Sequence, residues 1–433
     1  MKKILIVGTV PYSKNNQSRA FDTYFNNFDT NNLAQIFSNP EKPEFGHCNL
    51  LYQITDFMVL KNLFSFKKQP GKRYDFTNPI NKVKSTNSIS NKKNKFISML
   101  YKLGKHKNSI NYLLRGLIWN RKNWLTKDLI DWVDDFNPEL IFISFSDDFF
   151  ILQIGLFFAR KYNIPIISTI SDDYYFNNKF SLNPFRLIYH IKYKKLVDSI
   201  MIHKGENIYI SDKIRLKYDS FFKKRGRTVF VSSDIQRLPF TKVNKNKISF
   251  IYAGNLRLGR YRSIIKIADV LKNISPQYAI TVFSDEKSKK IISKLKSRKN
   301  INYMGYIKYD ELYNHLKNAD FSIIAESTRK KDIVKTRYSL STKVADSIAI
   351  GKPVLVYGSD ESGAISFFRE HDLPLVANNK SDLKKQLIKF INDYDLQEHT
   401  YLKYKHITNL VFDKSKNNEK FITLINMVSK KYS

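Results

Sequence analysis

The run from Tyr338 to Gly358 constrains this chain more than any other segment. Ser341 or Thr342 can cap a helix that continues to Ile350, and Gly351 stops it. Pro353 then opens a strand over 353–357. A helix that offers hydroxyls at its N-terminus and passes straight into a buried strand is half of an α/β unit. The same rhythm leads up to it. Strands are expected over 248–252, 278–283, 301–304 and 321–325, with helices over 261–274, 286–298 and 308–319. The strands are short apolar runs, the pattern of parallel strands covered on both faces.

An earlier cycle has the same form. Residues 3–8 read as a strand ending in Gly8, followed by the loop 9–18 and a helix over 19–28. A helix over 128–136, a strand over 140–145, a helix over 149–162 and a strand over 166–170 continue it, and 200–202 and 229–231 read as further strands. The polar linker Asn244-Lys245-Asn246-Lys247 separates the two cycles. The chain therefore divides into an N-terminal domain over 1–243, a C-terminal domain over 244–380, and helices with a basic tail over 381–433. Its 433 residues suit two cores.

The net charge of +35 favours acidic partners, among them nucleotides, phosphorylated sugars and anionic lipid. The bias is strongest over 61–127, where 17 Lys or Arg face a single acid, Asp75. Apolar residues are interleaved there, as in Leu113-Leu114-Arg115-Gly116-Leu117-Ile118-Trp119. This reads as basic amphipathic helices, and its functional reading is contact with an anionic membrane surface. Elsewhere the basic residues are spread along the chain, and no helix-turn-helix, zinc finger or aromatic stacking motif accompanies them, so specific nucleic-acid binding is not expected. The longest apolar stretch, 149–159, is far short of the ~20 residues a membrane span needs. Cys48 is the only cysteine, which excludes a disulfide framework and favours a reducing compartment. The expected place is the cytoplasm, peripheral on the inner face of the cell membrane.

Two motifs can carry chemistry. In Tyr252-Ala253-Gly254-Asn255-Leu256-Arg257-Leu258-Gly259-Arg260 the glycines let backbone approach a ligand, and Arg257 and Arg260 can meet phosphate oxygens. The helix that follows adds its positive end. In the second motif, Thr342, Lys343 and Asp346 share one helix face at spacings of three and four. A carboxylate there can hold a ribose diol while Ser341, Thr342 and Lys343 take phosphate. In the first cycle, Ser171-Asp172-Asp173-Tyr174-Tyr175 leaves a strand at its C-terminal end, where ligands of open α/β sheets gather. Asp172 and Asp173 are adjacent, so their side chains diverge and do not make a joint metal site. They are candidates for acceptor binding or acid–base work.

The Ser/Thr-Lys pair, the carboxylate three residues later and Gly351-Lys352-Pro353-Val354 resemble retaining glycosyltransferases of the GT-B fold, of the bacterial polysaccharide-assembly type (glycosyl transferases group 1-like). Gly254-Asn255-Leu256 with Gly259-Arg260 resembles the phosphate loop of the same enzymes, and Ile208-Tyr209-Ile210-Ser211 is also similar to such members. The resemblance implies two Rossmann-like doubly wound domains facing each other. It implies a hexosyltransferase-type, retaining, metal-independent reaction on a nucleotide-diphosphate sugar, a UDP-sugar first, with no permanently bound cofactor. The acceptor it implies is a glycan or lipid-linked glycan.

Asp346 would then grip the ribose, and Arg257, Arg260 and Lys343 the diphosphate. Gly8, Gly254, Asn255, Asp332, Arg337, Ser339, Ser341 and Thr342 complete the donor-side candidates, and Asp172, Asp173 and Glu326 are the catalytic ones. The family often carries two acids separated by seven residues. Here the second is Asp346, and the place of the first holds Tyr338. Glu326 or Asp332 on the preceding loop would have to replace it. The alternative is a non-catalytic binding subunit that keeps the fold.

Overall fold

A computed structural model describes residues 2–13, 19–46, 48–63, 70–77, 109–176, 183–246 and 248–432. The first sheet holds β1 (Ile4–Val7), β2 (Leu33–Phe37), β3 (Leu50–Gln53), β4 (Lys72–Asp75), β5 (Leu140–Ser144), β6 (Ile166–Ile170), β7 (Gly205–Tyr209) and β8 (Arg227–Thr228). Their order is β4-β3-β2-β1-β5-β6-β7-β8, parallel except for β4 against β3. β1 is buried along its whole length, and its side chains alternate between two cores. Leu5 and Val7 join the layer formed with helices Lys127–Phe136, Phe149–Lys161 and Pro184–Ile202. Ile4 and Ile6 join the opposite layer, formed with helix Arg19–Phe25.

The second sheet holds β9 (Ser249–Ala253), β10 (Ala279–Phe283), β11 (Ile301–Gly305), β12 (Phe321–Ala325), β13 (Val354–Tyr357) and β14 (Val376–Ala377). Its order is β11-β10-β9-β12-β13-β14, with every pair parallel. This is the doubly wound arrangement expected from the sequence, twice over. The strand order reverses between β9 and β12, and in the first sheet between β1 and β5. The loops after those strands are where such sheets bind ligands.

Two expected strands are corrected. Residues 200–202 are the last turn of helix Pro184–Ile202. Three apolar residues do not separate a strand from a helix end, and the paired strand is β7, three residues later. Residues 229–231 are not a strand: the ladder with β7 ends at Thr228, and only the Val229 N–H carries it one bond further, to the Tyr209 carbonyl at 2.9 Å.

Of the basic segment, 64–69 and 78–108 lie outside the described residues. In the described part, Arg115 turns inward to Asp56, at 2.8 Å, and to Asp148. Arg73 pairs with Asp128 at 2.9 Å.

The chain passes between the two sheets twice, once through the segment 229–243 and once after the π-helical turn Thr408–Phe412. The second crossing returns helix Lys414–Tyr432 to the first domain, where Phe421, Leu424, Ile425 and Val428 complete the layer that holds Ile4 and Ile6. Asn418 Nδ2 donates to the Tyr24 carbonyl at 2.9 Å, and Lys414 pairs with Asp22 at 2.5 Å.

Candidate functional site

Charged side chains gather at the reversal point of the second sheet. Gly254 follows β9, with its N–H bonded to the Phe283 carbonyl at 2.8 Å. A Cβ on Gly254 would lie 1.4 Å from Lys343 Nζ, so only glycine leaves room for that lysine. Lys343 lies in the first turn of helix Thr342–Ala349 and reaches over the Tyr252 ring, 5.1 Å from its centre. Burial and the nearby Arg260 guanidinium pull the Lys343 amine down to about 8, against the opposing pull of Glu326 and Asp285.

Glu326 follows β12 and is buried. Arg260, the first residue of helix Arg260–Ile274, forks onto it with Nη2 at 2.8 Å and Nε at 3.1 Å from both carboxylate oxygens. Arg260 Nη1 also donates to Asn255 Oδ1 at 2.7 Å. Burial alone would lower the Arg260 pKa, but the Glu326 charge outweighs it and raises it. Gly259, with φ +76°, turns the chain into that helix. Asn255 and Arg257 are exposed on the loop.

The other domain supplies the facing wall. Asp172, after β6, accepts from Ser339 Oγ at 2.5 Å and from the Tyr174 hydroxyl at 3.2 Å. It is close enough to Arg260 to raise that residue's pKa as well. Asp173 is buried, accepts from the Phe176 N–H at 2.8 Å and faces Arg337 at 3.6 Å. Burial raises its carboxyl pKa, with the Phe176 N–H and Arg337 pulling the other way. The two neighbours thus have different partners in the second domain, both on the segment 337–339.

Asp346 is also buried, but its partners come from both domains. Arg19 donates Nη1 to Oδ2 at 2.6 Å and Nη2 to Oδ1 at 2.9 Å. Ser233 Oγ at 2.7 Å and the Tyr309 hydroxyl at 3.1 Å add to Oδ1.

The remaining candidates separate. Ser341 is the N-cap, accepting from the Lys343 N–H at 3.4 Å, while Thr342 is the first helical residue and exposed. Asp332, expected on a loop, is buried in the first turn of helix Lys330–Thr336, bonded to Ser327 Oγ at 2.9 Å and Arg329 Nε at 2.7 Å. Gly8, with φ +93°, lies at the end of β1, where a Cβ would strike Ile151. Tyr338 packs against the core of the first domain, and its carbonyl accepts from Ser211 Oγ at 2.8 Å. The position where an acid was expected is therefore a contact between domains.

The sequence reading missed Arg19, Ser233, Tyr309 and Tyr252. Arg19 lies 327 residues from Asp346 in the chain, and no local spacing could have joined them. Tyr252 was legible only as a strand residue. Among the described residues no group of three or more His, Cys, Asp or Glu could hold a metal ion. No described helix is long and apolar enough to cross a membrane.

Residues 236–405 match the family described as Glycosyl transferases group 1. No curated protein matches the chain. Among solved structures, HepE from Anabaena in complex with UDP-glucose is 12% identical, with a TM-score of 0.58 over 99% of this chain and 100% of that one. Sucrose-phosphate synthase from Thermosynechococcus elongatus is 11% identical, with a TM-score of 0.62 over 98% of each chain. A TarM variant from S. aureus, in complex with fondaparinux, α-GlcNAc-glycerol and UDP, is 12% identical, with a TM-score of 0.57 over 98% of this chain and 100% of that one. At these identities the likeness is one of fold.

Proposed function

This is a GT-B-fold chain whose C-terminal domain belongs to the glycosyl transferases group 1 family, and from that premise we propose that it moves a sugar from a nucleotide-diphosphate donor to a glycan or lipid-linked glycan. The observation that carries the reading is the convergence of Gly254, Lys343 and Arg260 at the reversal point of the second sheet, opposite Asp172. A diphosphate bound there meets cations, close backbone and the start of helix Thr342–Ala349.

The chemistry follows from that placement. The bond between the anomeric carbon and the phosphate oxygen breaks, and its electron pair leaves on the diphosphate. Lys343 and the arginines of the loop stabilise that charge, the part a metal plays in other phosphate clamps. The acceptor hydroxyl enters from the side of the first domain, its oxygen bonds to the anomeric carbon, and Asp172, facing Arg260 from that domain, is the acid–base candidate on that side. Asp346 is the ribose ligand. We read the donor as a UDP-sugar, the reaction as retaining and metal-independent, and the context as cell-surface polysaccharide or glycoconjugate synthesis. HepE and TarM were solved with UDP or UDP-glucose bound, which supports UDP first.

A thermal-shift screen against UDP-, GDP-, dTDP- and CMP-sugars tests this. A ligand at ~100 times its dissociation constant adds about 2.7 kcal/mol, a visible shift. No shift with any of them sinks the proposal. The second reading, a binding subunit without activity, is favoured by Tyr338 in the place of an acid and by Glu326 tied to Arg260. Product formed by the purified chain excludes it.

The membrane part of the proposal has support on the first domain. Helix Ser109–Ile118 exposes Leu114 and Leu117 and packs beside helix Pro184–Ile202, which exposes Phe185, Leu187, Ile188 and Ile191. Arg186, Lys192 and Lys195 are exposed on the latter helix too. Tyr189 and Tyr193 tie it to the loop after β5, at the rim of the cleft. Apolar side chains among cations fit an anionic bilayer surface. Replacing Leu187, Ile188 and Ile191 by Asp should abolish sedimentation with anionic vesicles. Unchanged sedimentation removes this face from the proposal.

A further inference from the structure

Asp346 has no room for a ribose as it stands. A carboxylate offers about four acceptor directions. Four donors already crowd it: Oδ1 accepts from Arg19 Nη2, Ser233 Oγ and the Tyr309 hydroxyl, and Oδ2 from Arg19 Nη1, which leaves one direction, on Oδ2. A ribose diol would bring two more donors to the same two oxygens. At least one present donor has to leave before the diol can bind.

Arg19 is the donor best placed to go. Tyr309 belongs to the same domain as Asp346 and moves with it, whereas Arg19 begins the first helix of the other domain. Arg19 holds two of the four contacts, so its withdrawal clears Oδ2 and takes the third donor off Oδ1. It also has other partners to remain with. Its Nη2 already donates to the Ser232 carbonyl at 2.8 Å, and its guanidinium lies 5.0 Å from the centre of the Tyr309 ring. Asp234 is near enough to act on its charge.

We propose that Arg19 is a positioning residue of the transfer: without donor it holds Asp346 and draws the domains together, and the donor ribose displaces it. The inference rests on the proposed function, and within it on Asp346 as the ribose ligand. Nucleotide entry is then coupled to the relation between the domains, because the group it displaces belongs to the opposite wall. The sign of the coupling is fixed. Removing Arg19 leaves a carboxylate with vacant acceptor directions, so nucleotide binds more tightly.

The experiment measures UDP affinity by calorimetry, and kcat and donor KM with a UDP-sugar, for Arg19→Ala, Arg19→Lys and Asp346→Ala. Arg19→Ala should bind UDP on the order of tenfold more tightly, the scale of one charge-assisted hydrogen bond no longer competing. Its donor KM should fall with it. Arg19→Lys keeps the charge without the fork and should lie between Arg19→Ala and wild type. A purely structural arginine predicts the opposite sign, weaker UDP binding in Arg19→Ala, and that result overturns the inference. If Arg19→Ala does not fold, Arg19→Lys carries the same test of sign. Asp346→Ala separates the two levels. If it leaves UDP affinity unchanged, the ribose assignment fails and the inference with it. If it weakens UDP binding while neither Arg19 variant tightens it, only the role of Arg19 fails.

Discussion

Two buried acids in this cleft meet arginines in contrasting ways. Glu326 and Arg260 lie in the same domain, 66 residues apart, at the ends of neighbouring elements. Their pair is part of how the second sheet is built, and it ties the strand-end loop to the start of a helix. Asp346 and Arg19 belong to different domains, and their pair exists only while the domains are together. The first is a fixture of one core. The second is a bond across a gap that substrates must enter. Similar fork geometry thus does different work, according to whether the partners can separate without unfolding.

The largest expected effect comes from breaking the first pair. Glu326→Ala leaves the Arg260 charge nearly buried without its partner, and loss of one member of such a pair costs roughly 3–5 kcal/mol. Denaturant unfolding should show that loss. Asp346→Ala should cost clearly less stability, because Arg19 keeps the Ser232 carbonyl and more solvent. Equal losses in the two variants would erase the distinction.

The next effect is on pH. The Lys343 amine lies near 8 without ligand, and a bound diphosphate raises it. Binding therefore takes up a proton above pH 8, and UDP affinity should fall there by up to roughly tenfold per unit. Below that pH the amine is already charged and the dependence should flatten. Lys343→Met should bind UDP weakly and lose the slope. Unfolding runs the other way. The unfolded lysine titrates near 10.4, so the unliganded protein gains stability from this group as pH rises from 8 towards that value. Calorimetry across pH 7–10 checks both signs.

The smallest expected effect is at Ser339→Ala, which removes the hydroxyl bond to Asp172 across the cleft. A hydrogen bond to a charged group contributes about 1.5–3 kcal/mol, less where water can replace it. Thermal unfolding should move little, and any change in kcat should exceed it if Asp172 takes part in chemistry.

The two halves of the site differed in how far sequence reached them. Gly254, Arg260, Lys343 and Asp346 lie in segments whose local pattern states its own structure: an apolar strand, a glycine turn and a capped helix. The doubly wound order was legible for the same reason. β4 was not, because its charged residues Lys72, Arg73 and Asp75 suit an edge strand and break the apolar run that marks a buried one. Glu326 was legible as a candidate, but not as the partner of Arg260. Arg19 was not legible at all, since a lone arginine after a polar loop resembles many others. At the site, what escaped was pairing at a distance, which depends on how the domains meet rather than on any neighbour in the chain.

The returning helix Lys414–Tyr432 sets the order in which this protein can be finished. Synthesis proceeds from the N-terminus, and domains generally fold in that order. Here Tyr24, Phe25, Phe28 and Phe142 surround Phe421, whose ring lies 5.1 Å from those of Tyr24 and Phe25. Until residues 421–428 have been made, that aromatic layer has an open side. The domain made earlier thus completes its core only after the domain that follows it in the chain has been synthesised.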